Sequence, residues 1–271
     1  MPSAPTSARS PWPAVLLACS AMLGGCASLP GAATVSVDGR RVEALVARHH
    51  GPTVVFENGL GGTLDWWAKV WPEVAKHHAA IAYNRAGYGR SDAPVAPRDG
   101  EQVVAELRAL LKAQQLAPPY VLVGHSLGGL YLQLYARQHP EEVQALILVD
   151  STHPEQLRGK GAQNQWPAWV RVGFNLLTSD VAKQELDRLD ATGQRVLRLP
   201  PPAGVRVWVL SALRPMQERS DLADDANEKR AALASLYPGA KRVWVDSGHG
   251  IPLEKPEAVT AAIREALDRE R

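Results

Sequence analysis

The chain has 271 residues, which is enough for one α/β domain with a sizeable core. Its 30 basic and 28 acidic side chains leave a net charge of only +2, so the balance gives no support for a nucleic-acid partner. Cysteines occur only at Cys19 and Cys26, which excludes a disulfide framework or a cysteine nucleophile in the rest of the chain. No Cys/His cluster has metal-ligand spacing, and we expect neither a metal nor a cofactor.

The first residues have the layout of a processing segment. Arg9 supplies a positive charge, and the apolar run 14–23 that follows is short for a transmembrane span. The run ends in the letters LGGC, which resemble the lipobox of bacterial lipoproteins. That resemblance implies a signal peptide over residues 1–25, a lipidated Cys26 and attachment to the cell envelope, with the outer membrane favoured because Ala27 follows the cysteine. With a plain cleavable signal, the protein would be secreted or periplasmic.

Short β-rich runs alternate with longer helical patterns from residue 34 onward. This alternation predicts a mostly parallel central sheet with helices on both faces. The predicted strands are Thr34–Val37, Val42–Ala47, Thr53–Phe56, Ala79–Tyr83, Tyr120–Val123, Val143–Val149, Val205–Leu210 and Arg242–Val245. The predicted helices are Trp66–Lys76, Gly100–Gln115, Leu127–Gln138 and Pro256–Arg271. Pro72 should kink or split the first of these helices.

Residues 154–200 interrupt the alternation. They join an apolar stretch to a charged helical stretch, Val181–Leu189, and predict a helical cap inserted between core strands. The apolar stretch contains four large apolar side chains, Trp166, Trp169, Phe174 and Leu177. They either line an apolar pocket or fix the cap to the core, and the sequence supports both interpretations.

The pentapeptide Gly124–Gly128 reads GHSLG and fits the pattern Gly-x-Ser-x-Gly. It lies between a predicted strand and a predicted helix, so a sharp turn would present the hydroxyl of Ser126 at the carboxyl edge of the sheet. Unpaired N–H groups of the helix could there receive a developing oxyanion. A Gly-rich turn can also be purely structural, but this context favours Ser126 as a nucleophile. A serine hydroxyl is inert at neutral pH, so it needs an adjacent base.

Among the eight histidines, His249 has the best position for that base. It follows the last predicted strand, and glycines on both sides leave its loop free to adopt unusual backbone angles. We interpret six others as solvated, packing or helix-capping side chains: His49, His50, His77, His78, His125 and His139.

The letters GHSLGG, followed at long range by SGHGIPLEKPEAV, are similar to the α/β-hydrolase superfamily. The order of elements matches that of the superfamily over about residues 50–271. The resemblance implies a catalytic triad in the order serine, acid, histidine, on an α/β-hydrolase domain at 26–271 with its cap at about 154–200. It is specific for fold and triad, and unspecific for substrate.

The resemblance implies two positions for the acid that orients His249. One follows the strand Val205–Leu210, where no Gly-x-x-Asp occurs and Asp221 is a more distant acid. The other is the end of the strand after the nucleophile helix, which is occupied by Asp150. A carboxylate there would be partly buried and would need a partner such as His249. We favour Asp150 over Asp221, although Asp150 could also merely cap its loop.

Residues 56–62, FENGLGG, resemble the oxyanion loop of the superfamily, with Asn58 in place of the usual histidine. The resemblance implies that the backbone N–H groups of Leu60 and Leu127 stabilise the oxyanion. A nucleotide-binding glycine loop would need a Lys-Ser/Thr ending, which is missing here. Residues 83–92 also resemble a segment of the superfamily. We interpret this segment as structural, with Arg85 as a pairing residue.

These residues support two hypotheses of function. The first is a serine hydrolase that cleaves a small apolar ester or acyl compound, with Ser126 forming an acyl-enzyme and His249 activating water. Carboxylesterase is the favoured activity, while lipases, thioesterases, amidases, peptidases, lyases and perhydrolases share the machinery. The second is a catalytically silent envelope lipoprotein that uses the fold for binding. The intact Ser126/His249 pair favours the enzyme.

Overall fold

The protein is described by a computed structural model that covers residues 29–213 and 220–268. Its strands are β1 (Ala33–Val37), β2 (Arg40–Ala47), β3 (Thr53–Glu57), β4 (Ala80–Tyr83), β5 (Tyr120–His125), β6 (Val143–Val149), β7 (Arg206–Ala212) and β8 (Lys241–Val245). They form one eight-stranded sheet in the order β1-β2-β4-β3-β5-β6-β7-β8. Strand β2 runs antiparallel to β1 and β4, and all other neighbouring strands are parallel.

The α-helices of the described residues are α1 (Trp71–Ala75), α2 (Gly100–Ala113), α3 (Leu127–Gln138), α4 (Ala168–Leu177), α5 (Asp180–Arg198), α6 (Asp221–Ala232), α7 (Ile251–Glu254) and α8 (Pro256–Leu267). Side chains of β3 alternate between the two faces of the sheet. Val55 joins the buried cluster under α2 and α3, whereas Val54 and Phe56 join the cluster under α1 and α8. The predicted fold class, a mostly parallel sheet with helices on both faces, is confirmed.

The predicted helices Gly100–Gln115 and Pro256–Arg271 end earlier in the structure, at Ala113 and Leu267, and two other helical predictions differ more. The predicted helix Trp66–Lys76 is divided into a 3-10 turn, Leu64–Trp67, and the short α1, which begins beside Pro72. Proline is tolerated in the first turn of a helix because the N–H it lacks would have no partner there. The charged stretch Val181–Leu189 is only part of α5, which continues to Arg198.

The chain leaves the sheet after β6 and returns at β7, and this insertion contains α4 and α5. Three side chains of α5, Leu186, Leu189 and Val196, are buried in the same cluster as α3. Helix α4 has no buried residue. The range of about 154–200, for which the sequence predicts a cap, lies within this insertion.

The predicted signal peptide at 1–25 and the predicted lipidation site Cys26 lie outside the described residues. Both stay predictions. Within 29–213 and 220–268, no helix combines the length and the apolar character needed to span a bilayer.

Candidate active site

Ser126 lies at the sharp turn between β5 and α3. Its backbone has φ 53° and ψ −124°, a conformation that non-glycine residues seldom adopt and that the surrounding structure must hold in place. The carbonyl of Ser126 accepts hydrogen bonds from the N–H groups of Gly129 and Thr152, both at 3.0 Å. Its side chain makes no capping hydrogen bond to α3. The hydroxyl is therefore presented at the carboxyl edge of the sheet, where other loops converge.

Close packing of the turn explains why residue 128, two positions after Ser126, is a glycine. A Cβ atom on Gly128 would lie 2.4 Å from the carbonyl oxygen of Asn58 and 2.5 Å from that of Glu57, far inside van der Waals contact. The turn therefore packs directly on the loop that follows β3. A Cβ atom on Gly59 of that loop would lie 3.0 Å from Cβ of Ser126 and 3.5 Å from its Oγ.

The two predicted oxyanion donors belong to residues that adjoin this contact. Leu127 is the first residue of α3, and the first N–H groups of a helix have no partner within the helix. Leu60 follows Gly59, which faces Ser126. Donors at these two positions can stabilise negative charge on an oxygen that is bonded to a carbon attacked by Ser126. Their role as an oxyanion hole stays a prediction.

His249 and Asp150 are joined directly, although 99 positions separate them. Nδ1 of His249 lies 2.5 Å from Oδ2 of Asp150, whose side chain is fully buried at the end of β6. The other carboxylate oxygen, Oδ1, accepts the N–H of Ala212 at 3.1 Å. An ionised carboxylate only accepts hydrogen bonds, so Nδ1 carries the proton and Nε2 is left as the basic nitrogen.

The charge of Asp150 is set by opposing effects. Burial would raise the pKa of Asp150, but the hydrogen bond and charge of His249 and the charge of Arg230 together hold this pKa below its usual value. Asp150 is thus an anion at neutral pH and can stabilise an imidazolium on His249. The alternative acid, Asp221, is exposed and pairs with Lys160 at 3.7 Å, so the structure brings Asp150 and not Asp221 to His249.

His125 connects the turn of Ser126 to the loop of His249. The sequence predicts only a packing role for it, but its Nε2 lies 2.9 Å from the backbone carbonyl of His249. Its ring stacks on Trp66 at 4.9 Å and lies 4.7 Å from the ring of His249. Burial and the neighbouring His249 lower the pKa of His125 to about 3. The neutral ring therefore donates from Nε2 and holds the backbone of His249 beside the turn.

A buried cation organises the loop after β3 from the other side. Nη1 of Arg85 lies 2.7 Å from Glu57 and donates to the carbonyl of Asn58 at 2.6 Å, while Nη2 donates to the carbonyl of Gly59 at 2.9 Å. The guanidinium also forms a two-point pair with Glu185 of α5, at 2.8 and 2.9 Å. Arg85 thus positions the loop over Ser126 and attaches α5 to it, which supports its interpretation as a pairing residue.

Burial shifts the titration of this network. Burial would lower the pKa of Arg85, but Glu185 and Glu57 raise that pKa well above its usual value. Burial raises the pKa of Glu57, against the opposing influence of Arg85. Tyr83 donates a hydrogen bond to the same carboxylate. The loop over Ser126 is consequently supported by a charged cluster that has no access to solvent.

The sequence provides no signal for two residues that contact this site. Nε of Arg230, on α6, lies 3.5 Å from Oδ2 of Asp150 and is a second partner for the buried carboxylate. Glu185 reaches Arg85 across 100 positions of sequence. Both lie in charged helical stretches without a motif, so only the packing of the helices on the sheet identifies them.

The apolar side chains predicted to line a pocket or fix the cap divide into two groups. Trp166 and Phe174 pack edge to face, with ring centroids 6.0 Å apart, and contact the core. Trp169 and Leu177 are 58% and 59% exposed, so neither fixes the insertion to the core. Of the two interpretations drawn from the sequence, the one in which the side chain fixes the cap to the core is therefore wrong for Trp169 and Leu177.

One group within 29–213 and 220–268 offers three possible metal ligands close together. Ligand atoms of His139, Glu141 and Glu142 lie within 4.8 Å of one another. Glu142, however, already accepts hydrogen bonds from Arg108 and Tyr135, both at 2.5 Å. This group lies at the far end of α3 from Ser126, and nothing about it favours a bound ion.

Comparison with known proteins gives a consistent result. The family model for the alpha/beta hydrolase fold matches residues 52–219. An uncharacterized protein of Bacillus subtilis, YqjL, is 35% identical over 100 residues, which are 37% of this chain and 40% of that protein. A (lyso)-N-acylphosphatidylethanolamine lipase of Mus musculus is 30% identical over 134 residues, 46% of this chain and 37% of the lipase. The chain thus matches less than half the length of these two relatives.

Solved structures share the fold. A thermophilic esterase from Thermogutta terrifontis superposes with a TM-score of 0.63 at 20% identity, covering 86% of this chain and 97% of the esterase. At this identity the likeness concerns the fold alone.

Proposed function

Because this chain belongs to the α/β-hydrolase fold family, we propose that it is a serine hydrolase that cleaves carboxylic esters through an acyl-enzyme on Ser126. The observation that carries the proposal is the hydrogen bond between His249 and the buried Asp150, at the sheet edge where the strained turn presents Ser126. A buried anion that fixes one tautomer of a histidine is what a general base for a serine requires.

The reaction proceeds in two halves. Nε2 of His249 takes the hydroxyl proton of Ser126 as Oγ attacks the ester carbonyl, and the N–H groups of Leu60 and Leu127 stabilise the resulting oxyanion. The intermediate collapses, and His249 returns the proton to the departing alcohol. Water then attacks the acyl group while His249 accepts its proton. The acid leaves, Ser126 recovers its proton, and Asp150 stabilises the imidazolium in both halves.

Esters are favoured over other acyl compounds by two observations. A relative that is 30% identical over 46% of this chain is a (lyso)-N-acylphosphatidylethanolamine lipase. Residues 156–179 of the insertion contain no acidic side chain and are rich in apolar ones, which suits an apolar acyl or alcohol group.

Labelling with a fluorophosphonate probe tests the nucleophile. The wild-type chain should be labelled, and Ser126→Ala should not, because the probe forms a covalent bond only with an activated serine. Labelling should need the base, so His249→Ala should also abolish it. A folded wild-type protein that takes up no label would support the alternative, a catalytically silent protein that uses the fold for binding.

Turnover of p-nitrophenyl esters tests the acid and the substrate class. Asp150→Asn should lower kcat about 10⁴-fold, because an amide cannot hold the required tautomer or stabilise the imidazolium. Asp221→Asn is the matched control and should leave kcat unchanged. The reverse result would move the role to Asp221. A series of increasing acyl chain length, together with matched thioesters and anilides, would identify the preferred bond.

The predicted lipid anchor belongs to the same proposal. We place the mature protein at the cell envelope, with its N-terminus lipidated at Cys26 and the outer membrane as the favoured location. Incorporation of labelled palmitate into the wild type, but not into Cys26→Ala, is the expected result. Release of unlabelled wild-type protein into the periplasm or medium would support the plain cleavable signal instead.

A further inference from the structure

Helix α4 presents an apolar stripe to solvent. Trp169, Val172 and Leu176 are 58%, 56% and 78% exposed, and their spacing of three and four residues places them on one side of the helix. The opposite side, which includes Phe174, contacts the core. A surface helix of a globular protein normally turns polar residues outward, so this face is suited to an apolar surrounding.

The segment that contains α4 carries charge of one sign. Residues 156–179 contain three basic side chains and no acidic one. Two of the three are paired, Arg158 with Asp190 and Lys160 with Asp221. Arg171 is the single charged residue of α4, and it is exposed. A helix that exposes tryptophan and leucine on one face and carries a single exposed cation fits a bilayer with anionic lipid headgroups.

The N-terminal 28 residues join the domain at the edge of the sheet that also contains the active site. Strand β1 begins at Ala33, which pairs with Ala44, and Ala44 pairs with Tyr83 at the carboxyl end of β4. The N–H of Leu29 donates to Asp65, just beyond the loop that covers Ser126. Cys26 lies three residues before Leu29, so no more than about 11 Å of extended chain separates them.

Helix α4 ends at this same edge. A Cβ atom on Gly87, in the loop after β4, would lie 2.5 Å from Cγ2 of Val181, and Val181 follows α4 by four positions. An anchor at Cys26 would therefore hold the exposed face of α4 close to the lipid to which the anchor is attached.

We propose that α4 is a membrane-docking helix, which places Trp169, Val172 and Leu176 at the boundary between headgroups and acyl chains of a bilayer that contains anionic lipid. Docking would direct the edge with Ser126 towards the membrane, from which an apolar substrate could enter the site. The inference does not depend on the chemistry of Ser126, because fluorophosphonate labelling in solution and membrane docking are measured separately.

A fluorophore at residue 176 tests the docking directly. In the full chain with Cys19→Ser and Cys26→Ser, Leu176→Cys supplies a single thiol for the environment-sensitive dye NBD. Added phosphatidylcholine–phosphatidylglycerol vesicles should shift the emission to shorter wavelength and increase its intensity. Lys112→Cys is the matched control, because Lys112 is exposed near the end of α2, at the opposite edge of the sheet, and its dye should not respond.

Substitutions on the face should weaken this response. Adding Trp169→Ser to the labelled chain should lower the apparent affinity for vesicles at least about tenfold, because the variant buries one large apolar side chain fewer in the bilayer. Arg171→Gln should remove part of the preference for anionic over pure phosphatidylcholine vesicles. Both residues are exposed, so the domain should stay folded.

Three results would overturn the proposal. The first is an unchanged emission at residue 176 with vesicles, whether or not the chain binds them through its N-terminal segment. The second is an equal response at residue 112. The third is a blue shift at residue 176 that grows with protein concentration without vesicles, which would show that a second copy of the chain covers this face.

Discussion

The two helices of the insertion are attached to the domain in opposite ways. Helix α5 has eight charged residues, and yet it is held by the buried pair of Glu185 and Arg85 and by apolar side chains in the core. Helix α4 has one charged residue and is the more apolar of the two, but none of its residues is buried. Apolar content alone therefore does not decide which of the two helices packs into the core. What distinguishes α5 is the buried ion pair together with the apolar side chains that it packs into the core.

Removal of the ion pair should have the largest effect on this difference. Arg85→Met leaves Glu57 and Glu185 buried without their cation, and we expect a loss of about 3–5 kcal/mol in the free energy of unfolding. Arg171→Met on α4 should change it by less than about 0.5 kcal/mol. Urea unfolding followed by circular dichroism measures both. Equal effects would mean that the pair does not hold α5.

Truncation of one leucine in each helix should give the next largest difference. Leu186→Ala on α5 creates a cavity in the core and should cost about 3 kcal/mol. Leu176→Ala on α4 removes an exposed side chain and should stay within about 0.5 kcal/mol in solution. The same unfolding experiment applies. A cost for Leu176→Ala that matches that of Leu186→Ala would show that α4 packs on the domain in solution.

The glycine of each helix should respond in the opposite direction to alanine. A Cβ atom on Gly193 of α5 would lie 1.8 Å from the carbonyl oxygen of Pro154, whereas one on Gly173 of α4 would contact nothing. Gly193→Ala should therefore destabilise the protein by about 1–3 kcal/mol. Gly173→Ala should stabilise it by up to about 1 kcal/mol, because alanine is the better helix former. In thermal unfolding, the midpoint temperature should fall for Gly193→Ala and rise for Gly173→Ala.

Acid should destabilise the site through the buried His125, which joins the turn of Ser126 to the loop of His249, and this effect should be the smallest. The folded pKa of His125 is about 3, below its ordinary value of 6.5, so the unfolded chain binds a proton first as the pH falls. Its contribution to stability is complete above about pH 6.5 and is lost between that pH and about pH 3. From pH 7 to 6 the loss should be somewhat less than about 1 kcal/mol.

His125→Phe isolates this contribution. The variant should be less sensitive than the wild type to the same change of pH, measured by urea unfolding at each pH. Residues 154–200 contain no histidine, so substitutions on α4 should not alter the pH sensitivity. An unchanged pH dependence in His125→Phe would show that the buried ring is not the group that titrates.

The predicted site residues differ in how local their signals are. Ser126 is identified by five consecutive residues, because the turn that exposes it needs small neighbours at fixed positions. His249 and Asp150 are identified by their place after predicted strands, since the carboxyl ends of parallel strands share one edge of a sheet. Their contact could be expected from the sequence, but the choice between Asp150 and Asp221 needed the structure.

The order of the strands along the chain, the fold class and the place of Ser126 between a strand and a helix were determined by the sequence itself, because alternation, helical periodicity and turn chemistry act over a few neighbouring residues. Only the tertiary structure decided that Glu185 meets Arg85, that Arg230 reaches Asp150 and that Trp169 faces solvent. Each of these depends on how a helix is rotated and placed against a distant part of the chain. Local propensity does not encode that rotation, which is set by packing and by pairing of buried charges.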